Sequence, residues 1–399
     1  MPAFTSPQPE SLGYGRPFVD QDDVDAVVAV LRGERLTQGP AVEAFEQGLE
    51  RATGAGHAVA VANGTLALEL AYRALDVERG SVVLTTPNTF LATASAAIHC
   101  GAEVDFVDIE RRTGNLDLDR LAERLESGLP ADVVAPVHFA GLPCDMQRLL
   151  AMKRAFGFRI VEDAAHALGG GYRADGRLWR VGEHPEVDAT ILSFHPVKHV
   201  TTAEGGAVLT HRPEIAARLR RLRDHGLDRE LRFGRDGTWP LGFAPMVELG
   251  WNARLSDVHA ALGASQLHKL PDFLAARREI AMRYMAELRD LEFLDPGGAD
   301  REHAWHLFVV RTEERERDAL ALALRERGIQ AQVHYWPVPG HPWFQARYGE
   351  RSLPEAERHG RRALSLPIHP SLSERNQGRV IEALHHGRRP RIASCPIAS

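Results

Sequence analysis

The chain has 399 residues, a length that predicts one large domain and a smaller second one. Hydrophobic residues make up 44% and charged residues 26%, which excludes wholesale disorder, and the formal net charge of −6 argues against nucleic acid as the main partner. The first ten residues lack the basic start and apolar run of a signal peptide, and the uncharged stretch 80–102 is interrupted by proline, asparagine and histidine. We therefore expect a cytoplasmic protein without a membrane span.

Short apolar runs alternate with segments of helical periodicity through the first half of the chain. Strands are predicted at 57–62, 81–85, 103–107, 132–137, 158–162, 187–193 and 205–210, and helices at 65–76, 90–100, 117–126, 145–156 and 213–224. This alternation predicts an α/β fold, with a mostly parallel central sheet and helices on both faces. Such sheets bind ligands at the carboxyl ends of their strands, so we expect functional residues directly after each strand.

The second half of the chain predicts a smaller α+β domain. Residues 228–250 are rich in glycine, proline and arginine and predict a long loop. Helices are predicted at 255–267 and 272–290, then a strand at 305–311, a helix at 316–327, a strand at 329–335 and helices at 354–363 and 373–385. We accordingly predict a large domain with an N-terminal arm at 1–250, a small domain at 251–387 and a flexible tail at 388–399.

Lysine is rare in this sequence, which limits the candidates for amine chemistry to Lys153, Lys198 and Lys269. Lys153 and Lys269 lie on predicted helices and fit ordinary surface positions. Lys198 follows the apolar strand 187–193, so it is either a surface lysine or a functional amine at a strand end.

Other polar and aromatic residues follow neighbouring strands. Asp163 could cap a helix, bind a metal or face a cationic ring nitrogen, and His166 would lie near it if a helical turn follows. Gly64 and Thr65 open a helix directly after a strand, where backbone N–H groups either bind phosphate or are simply capped. Phe90 is either a core residue or an aromatic face for a flat ligand.

Taken together, these residues are the equipment of a pyridoxal phosphate (PLP) enzyme: a lysine for a Schiff base, an aspartate, an aromatic face and a phosphate nest. Other motifs are absent from the sequence: no GxGxxG follows the first strand, and there is no GxxxxGK[ST], HExxH or GxSxG. His195 and His199 are four residues apart, but no nearby carboxylate or cysteine completes a metal site. The three cysteines form no CxxC pair, so we expect no metal.

The order of the motifs resembles that of the DegT/StrS-type nucleotide-sugar aminotransferases, a branch of the fold-type I PLP enzymes. The resemblance extends from about Gly13 to the 380s. It is carried by LTQG at 36–39, NGT at 63–65, TF at 89–90, EDAAHA at 162–167, SFHPVK at 193–198, TAEGG at 202–206 and WNARLSD at 251–257. It implies a fold-type I architecture and PLP as cofactor, with pyridoxamine phosphate (PMP) as the form that carries the amino group.

The resemblance also implies roles for individual residues. Lys198 corresponds to the lysine that binds the cofactor covalently, Asp163 to the partner of the pyridine nitrogen and Phe90 to the stacking aromatic. The implied phosphate ligands are Asn63, Gly64, Thr65 and Ser193, and His166 stands near the phenolic edge of the cofactor. Asn252 matches an asparagine that reaches the phosphate of the neighbouring subunit's cofactor, which implies a homodimer with shared sites.

For the substrate, the resemblance implies transfer of an amino group from L-glutamate to C4 of a 4-keto-6-deoxy sugar nucleotide, UDP-linked as in the enzymes that make the 4-amino intermediate of pseudaminic acid. The segments EDAAHA and GIQAQVHYWPV at 328–338 favour this, and Tyr14, Thr37, Gln38, His334 and Tyr335 would line the pocket. Because arginine suits a diphosphate, Arg229, Arg232 and Arg235 of the loop are further candidates.

Several alternatives stay open. HAWHLFVVR at 303–311 resembles the 4-amino-4-deoxy-arabinose enzymes, and a 3-keto substrate or a non-catalytic regulator on the same fold is possible. The family's dehydratases carry histidine in place of the lysine, so Lys198 argues against that branch. The long loop 228–250 and PGHPWF at 339–344 depart from the family pattern.

Overall fold

A computed structural model describes residues 11–229, 240 and 243–387. The strands are β1 (His57–Val61), β2 (Val82–Thr85), β3 (Glu103–Phe106), β4 (Val133–Ala135), β5 (Arg159–Asp163), β6 (Gly171–Ala174), β7 (Arg177–Arg180), β8 (Ala189–Ser193), β9 (Gly206–Thr210), β10 (Glu292–Phe293), β11 (Arg301–Glu302), β12 (Phe308–Arg311) and β13 (Ala363–Leu366). The helices are α1 (Gln21–Leu31), α2 (Pro40–Thr53), α3 (Gly64–Ala74), α4 (Ala92–His99), α5 (Leu118–Glu126), α6 (Met146–Phe156), α7 (Pro213–Arg223), α8 (Asp257–His268), α9 (Leu270–Glu287), α10 (Arg317–Glu326), α11 (Pro342–Tyr348), α12 (Pro354–Arg362) and α13 (Glu374–Gly387).

A seven-stranded sheet forms the centre of the fold, in the order β1-β9-β8-β5-β4-β2-β3. Strand β9 runs antiparallel to both of its neighbours, and the remaining pairs are parallel. Apart from the edge strand β3, which carries two acidic residues, the strands are mostly buried and rich in valine, alanine, isoleucine and leucine, as expected for a sheet that is covered on both faces. The predicted α/β architecture is confirmed.

Two hydrophobic cores lie on opposite faces of this sheet. One includes Phe45 and Leu49 of α2, together with side chains of α5, α6 and α8. The other includes Leu70 of α3 and side chains of α4 and α7. Successive strand residues point to alternate faces, so Val161 enters one core and Ile160 the other. Burial on both faces fixes the strands firmly and leaves their carboxyl ends as the accessible edge.

The C-terminal part contributes a separate core and two three-stranded sheets, β10-β12-β13 and β11-β6-β7. The separate core joins side chains of α9, α10 and α13 to Leu12 of the N-terminal arm. Val338 and Phe344, however, pack into a core of the central sheet. Packing thus joins the N-terminal arm to the C-terminal core and residues 338–344 to the central sheet, and the domain boundaries proposed from the sequence stay a prediction.

Some local predictions were wrong. Residues 329–335 do not form a strand, because Ile329 and Gln332 make only isolated bridges, to Leu12 and Ser365. Strand β13 takes the place beside β12 instead, directly after α12, where the sequence predicted only a helix. The helices α1, α2 and α11 and the hairpin β6–β7 were not predicted. The predicted tail 388–399 lies outside the described residues, and none of the described helices has the length and apolar character needed to cross a membrane.

Candidate active site

A cavity of about 910 Å³ opens at the carboxyl ends of β5 and β8. It brings together most of the residues predicted from the sequence: Tyr14, Asn63, Gly64, Thr65, Phe90, Asp163, His166, Ser193, Lys198, His334 and Tyr335. Its volume is near the upper end of the range for small-molecule sites, about 300–1,000 Å³, and so leaves room for more than one small ligand.

Asp163 is the last residue of β5 and is buried. Its Oδ2 accepts a hydrogen bond of 2.6 Å from the Thr93 hydroxyl, and its Oδ1 accepts one of 3.2 Å from the backbone N–H of Ala165. No helix begins after Asp163, so it is not a helix cap. Nor is Asp163 part of any metal-binding group of three or more side chains found among the described residues. A carboxylate held in this way provides a fixed negative charge at the strand end.

Lys198 lies in the turn that follows β8, with its backbone N–H 2.8 Å from the carbonyl oxygen of His195. The side chain is half-buried. Burial is the main cause that lowers the pKa of Lys198; the charge of Asp163 opposes it, the charge of Arg277 adds a smaller lowering effect, and the resulting pKa is about 8. At pH 7 roughly a tenth of this amine is therefore uncharged, the form that a nucleophile requires.

The start of α3 forms a backbone cradle beside Ser193. Asn63 caps the helix, with its Oδ1 accepting a hydrogen bond of 2.9 Å from the backbone N–H of Leu66. A Cβ added to Gly64 would lie only 3.1 Å from the Cβ of Ser193, so a side chain at position 64 would crowd the hydroxyl. Thr65 is exposed in the first turn. Hydroxyls and N–H groups at a helix N-terminus suit a phosphate.

Phe90 follows β2 and presents its ring to the cavity. The residue is 60% exposed, although it is large and apolar. It is therefore not a core residue, and its open face can stack on a flat ring.

His166 and Tyr335 form the opposite side of the cavity. The Tyr335 hydroxyl is 3.2 Å from His166 Nε2, and the two rings are nearly parallel, with an interplanar angle of 18°. Burial, and next the charge of Lys198, hold the pKa of His166 well below its usual value, while burial raises the pKa of Tyr335. The protonated tyrosine and the neutral His166 therefore share a hydrogen bond in which neither partner is charged. Nearby, His334 Nδ1 lies 2.8 Å from the Ser365 hydroxyl.

The remaining predicted residues do not reach this cavity in the same chain. Gln38 and Arg229 line a second cavity of about 400 Å³, where Arg229 pairs with Asp224 at 2.6 Å and donates to Gln38 Oε1 at 3.0 Å. Asn252 forms a backbone bridge with Asp224, and Thr37 forms one with Ser256. Arg232 and Arg235 lie outside the described residues.

Some residues at the site were missed by sequence reasoning. Thr93 lies three residues after Phe90 on the same helical turn, a spacing that could have indicated it. Trp336 and His341 also line the cavity, from a segment that the sequence marked only as unusual.

The donor set fits PLP. The crowded glycine and the hydroxyls at the start of α3 suit its phosphate, the exposed face of Phe90 suits its ring, and the buried carboxylate of Asp163 suits a protonated ring nitrogen. The near-neutral amine of Lys198 suits its aldehyde. The fold and this site define a fold-type I PLP-dependent aminotransferase.

Residues 17–385 match the DegT/DnrJ/EryC1/StrS aminotransferase family, and the chain belongs to this family. It is 36% identical over 384 residues to the spore coat polysaccharide biosynthesis protein SpsC of Bacillus subtilis (strain 168), covering 94% of this chain and 96% of SpsC. The family resemblance inferred from the motifs is thereby confirmed.

Solved structures of sugar aminotransferases have a fold similar to that of this chain. Helicobacter pylori PseC, an aminotransferase of pseudaminic acid biosynthesis, matches with a TM-score of 0.86 and 28% identity, over 95% of this chain and 99% of PseC. A sugar aminotransferase from Streptococcus pneumoniae matches in its PLP form with a TM-score of 0.84 and 28% identity, over 94% of this chain and 98% of that one. A PMP form of the same protein also matches. The prediction of PLP as cofactor, with PMP as its second form, is confirmed.

Proposed function

We propose that the chain transfers an amino group from L-glutamate to C4 of a UDP-linked 4-keto-6-deoxy sugar. One observation carries the proposal: Lys198, Asp163 and the start of α3 line a single cavity, which is large enough for a second ligand beside the cofactor. The names of SpsC and PseC, from polysaccharide and pseudaminic acid biosynthesis, support a sugar as that ligand.

When bound, PLP supplies an aldehyde that captures amines and a ring that accepts electrons from the carbon losing its proton. Lys198 would hold PLP through its Nζ and, when that atom is free, would carry a proton there, a task for which its lowered pKa is suited. The carboxylate of Asp163 would favour the protonated form of the ring nitrogen. His166 and Tyr335 close the other side of the cavity as a hydrogen-bonded neutral pair.

The proposal is tested with a panel of keto-sugar nucleotides that differ in nucleotide and in the position of the keto group. Each is incubated with L-glutamate and the holoenzyme, and the product is read by its mass and by NMR. Amination at C4 of a 4-keto-6-deoxy UDP-sugar supports the proposal, and amination only at C3 or only of a 4-keto-arabinose derivative contradicts it. In parallel, borohydride reduction and peptide mapping should place the cofactor on Lys198. A colourless protein that traps no cofactor would favour a regulator.

We also propose that the enzyme is a homodimer whose sites are completed by a second copy. Lys198 is the only lysine or arginine among the described residues that line the cavity, yet L-glutamate and a sugar diphosphate are both anionic. Gln38, Arg229 and Asn252 lie at a different surface of the same chain, from which they could serve only a neighbouring site.

Mixing two inactive variants tests site sharing. Lys198→Ala and Asn252→Ala are each purified, mixed, dissociated and reassociated. A mixed dimer contains one site with both native residues, so activity should return to about a quarter of the wild-type value after random pairing. If activity does not return although mass measurements show mixed dimers, the sites are not shared.

A further inference from the structure

Arg277 is a fully buried arginine on α9, with only 1% of its surface exposed. Its Nη1 donates to three backbone carbonyl oxygens, those of Trp305, His306 and Ile368, at 3.3, 3.2 and 3.0 Å. Within the described part of the chain, no carboxylate lies within ion-pair distance of this guanidinium, and its Nε has no hydrogen-bond partner. A buried charge without a counter-charge is costly, so its presence calls for an explanation.

The carbonyl groups that Arg277 holds belong mainly to the turn 304–307, which is also fixed from the opposite side. The backbone N–H of Ala304 donates to the carbonyl of Gly141 at 2.8 Å, and that of Leu307 donates to Ala140 at 3.1 Å. A Cβ on Gly141 would come within 3.0 Å of the backbone nitrogens of both Trp305 and His306. The turn is thus clamped between Arg277 and the segment around Gly141.

This clamped turn supports the histidines on two sides of Lys198. His199, the next residue along the chain, has its Nε2 2.8 Å from the carbonyl oxygen of Ala304. The ring of His306 packs against that of His166, with centroids 4.3 Å apart. By holding this one turn in place, Arg277 therefore helps to position both His199 and His166, the two histidines beside the Lys198 amine.

The charges around Lys198 give Arg277 a second effect. The titratable groups that face this amine are Asp163, Arg277, His166, His195, His199, His306 and His334. Burial is the first cause that lowers the pKa of each of these histidines, which keeps them neutral at pH 7. Burial lowers the pKa of Arg277 only to about 10, so it stays charged. Asp163 and Arg277 are then the fixed charges of opposite sign near the amine.

We propose that Arg277 is a positioning residue of this aminotransferase: it clamps the turn that supports His166 and His199, and its unneutralised charge favours the neutral form of the Lys198 amine. The proposal rests on the function proposed above for Lys198. Asp163 alone, placed to serve a cofactor ring, would also stabilise the ammonium form of the lysine. Arg277 offsets part of that effect from behind the turn 304–307, without lining the cavity.

The test measures the protonation of Lys198 directly, without turnover. Full-length protein freed of cofactor is labelled with a trace of an amine-reactive reagent across a pH series, and the Lys198 peptide is quantified by mass spectrometry. Wild type is compared with Arg277→Gln, which keeps N–H donors but removes the charge, and with Arg277→Lys, which keeps the charge but loses the fork of donors. Arg278→Gln, at the adjacent exposed position on α9, is the matched control.

We expect Arg277→Gln to raise the labelling midpoint of Lys198 by about one pH unit. Near pH 7 the fraction of neutral amine would then be roughly tenfold smaller than in wild type. Arg277→Lys and Arg278→Gln should stay close to wild type. An unchanged midpoint in a folded Arg277→Gln protein, or an equal rise in Arg277→Lys, overturns the proposal. If Arg277→Gln does not fold, Arg277→Met takes its place as the variant without the charge: a midpoint raised by about one pH unit supports the proposal, and an unchanged midpoint contradicts it. Failure of borohydride trapping at Lys198 would contradict the proposed function alone, because the labelling does not depend on it.

Discussion

The cavity that holds Lys198 and the smaller cavity that holds Arg229 differ in how their positive charges are neutralised. Four of the five arginines that line the smaller cavity are paired with carboxylates: Arg221 with Glu248, Arg223 with Glu46, and both Arg229 and Arg254 with Asp224. Around the larger one, Lys198 and Arg277 form no ion pair among the described residues. An ion pair links two segments and neutralises both charges. A charge without a partner instead acts electrostatically on nearby titratable groups or on a bound ligand. Within one chain, this contrast separates the cations whose charge is neutralised by an ion pair from those whose charge is not.

The largest loss of activity is expected when Lys198 is replaced. Lys198 and Lys153 differ in whether a carboxylate neutralises their charge. Lys153 is paired with Asp188, whereas Lys198 has no ion pair with any residue that the structure describes. Lys198→Ala should abolish cofactor trapping and lower amine transfer by at least about 10²–10⁴-fold, the usual contribution of a proton carrier. Lys153→Ala, the control, should lower the thermal midpoint but leave turnover near wild type. Product formation is measured by mass spectrometry. Full turnover in Lys198→Ala would show that the unpaired lysine is not needed for the reaction.

The next effect concerns the charge of Asp163. Asp163→Asn keeps the shape of the side chain but removes the fixed charge, and we expect roughly a 10²–10³-fold loss of amine transfer. Thr93→Val removes the hydroxyl that donates to Oδ2 and leaves the charge in place. A net hydrogen bond contributes about 1 kcal/mol, so this control should lose only about fivefold. Equal losses in the two variants, measured as kcat with saturating cofactor, would mean that the hydrogen bond matters and not the charge.

In the smaller cavity, removing a charge should lower the stability of the fold. Asp224→Asn leaves Arg229 and Arg254 without their shared carboxylate. Because Arg229 is half exposed, we expect a loss of only about 1 kcal/mol in the free energy of unfolding. These arginines hold the pKa of Asp224 below its usual value despite partial burial. The native-state contribution is therefore present above the unfolded pKa, about 4, and is lost as the pH falls through the lower folded value.

Denaturant unfolding at pH 7 and pH 3 checks this prediction. The difference in unfolding free energy between wild type and Asp224→Asn should shrink at the lower pH, and the labelling midpoint of Lys198 should be the same in the two proteins. A difference that grows on acidification contradicts the assigned sign.

The same contrast explains how much of the molecule could be predicted from the sequence. Asp163, Ser193 and Lys198 lie at or just after strand ends, and Gly64 opens a helix, so local patterns were enough to find them. Arg277 looks like any arginine on a charged helix, and only tertiary packing brings Trp305 and Ile368 against it. No periodicity in one segment could reveal such a clamp.

The errors in the fold have a related cause. The alternating apolar and polar residues of 329–335 are typical of a strand, but this segment leads into the cavity, where Tyr335 meets His166 instead of a ladder partner. Strand β13 was hidden because it follows α12 without an intervening turn. Here long-range contacts overrode the local pattern, as they do most often at functional sites.

The smallest effect is expected from two buried tyrosine hydroxyls, which extend the contrast to neutral groups. Tyr335 meets His166 in the cavity, whereas Tyr284 donates to the carbonyl of Pro367 at 2.9 Å, away from it. Removing either hydroxyl should cost about 1 kcal/mol. In Tyr284→Phe that cost should appear only as a lower thermal midpoint. In Tyr335→Phe it should also appear as a few-fold loss of kcat, because His166 loses the hydrogen bond that orients its ring. If both variants lose stability equally and neither loses kcat, the contact between His166 and Tyr335 serves stability only. The difference between functional and structural residues would then apply only to the charged side chains.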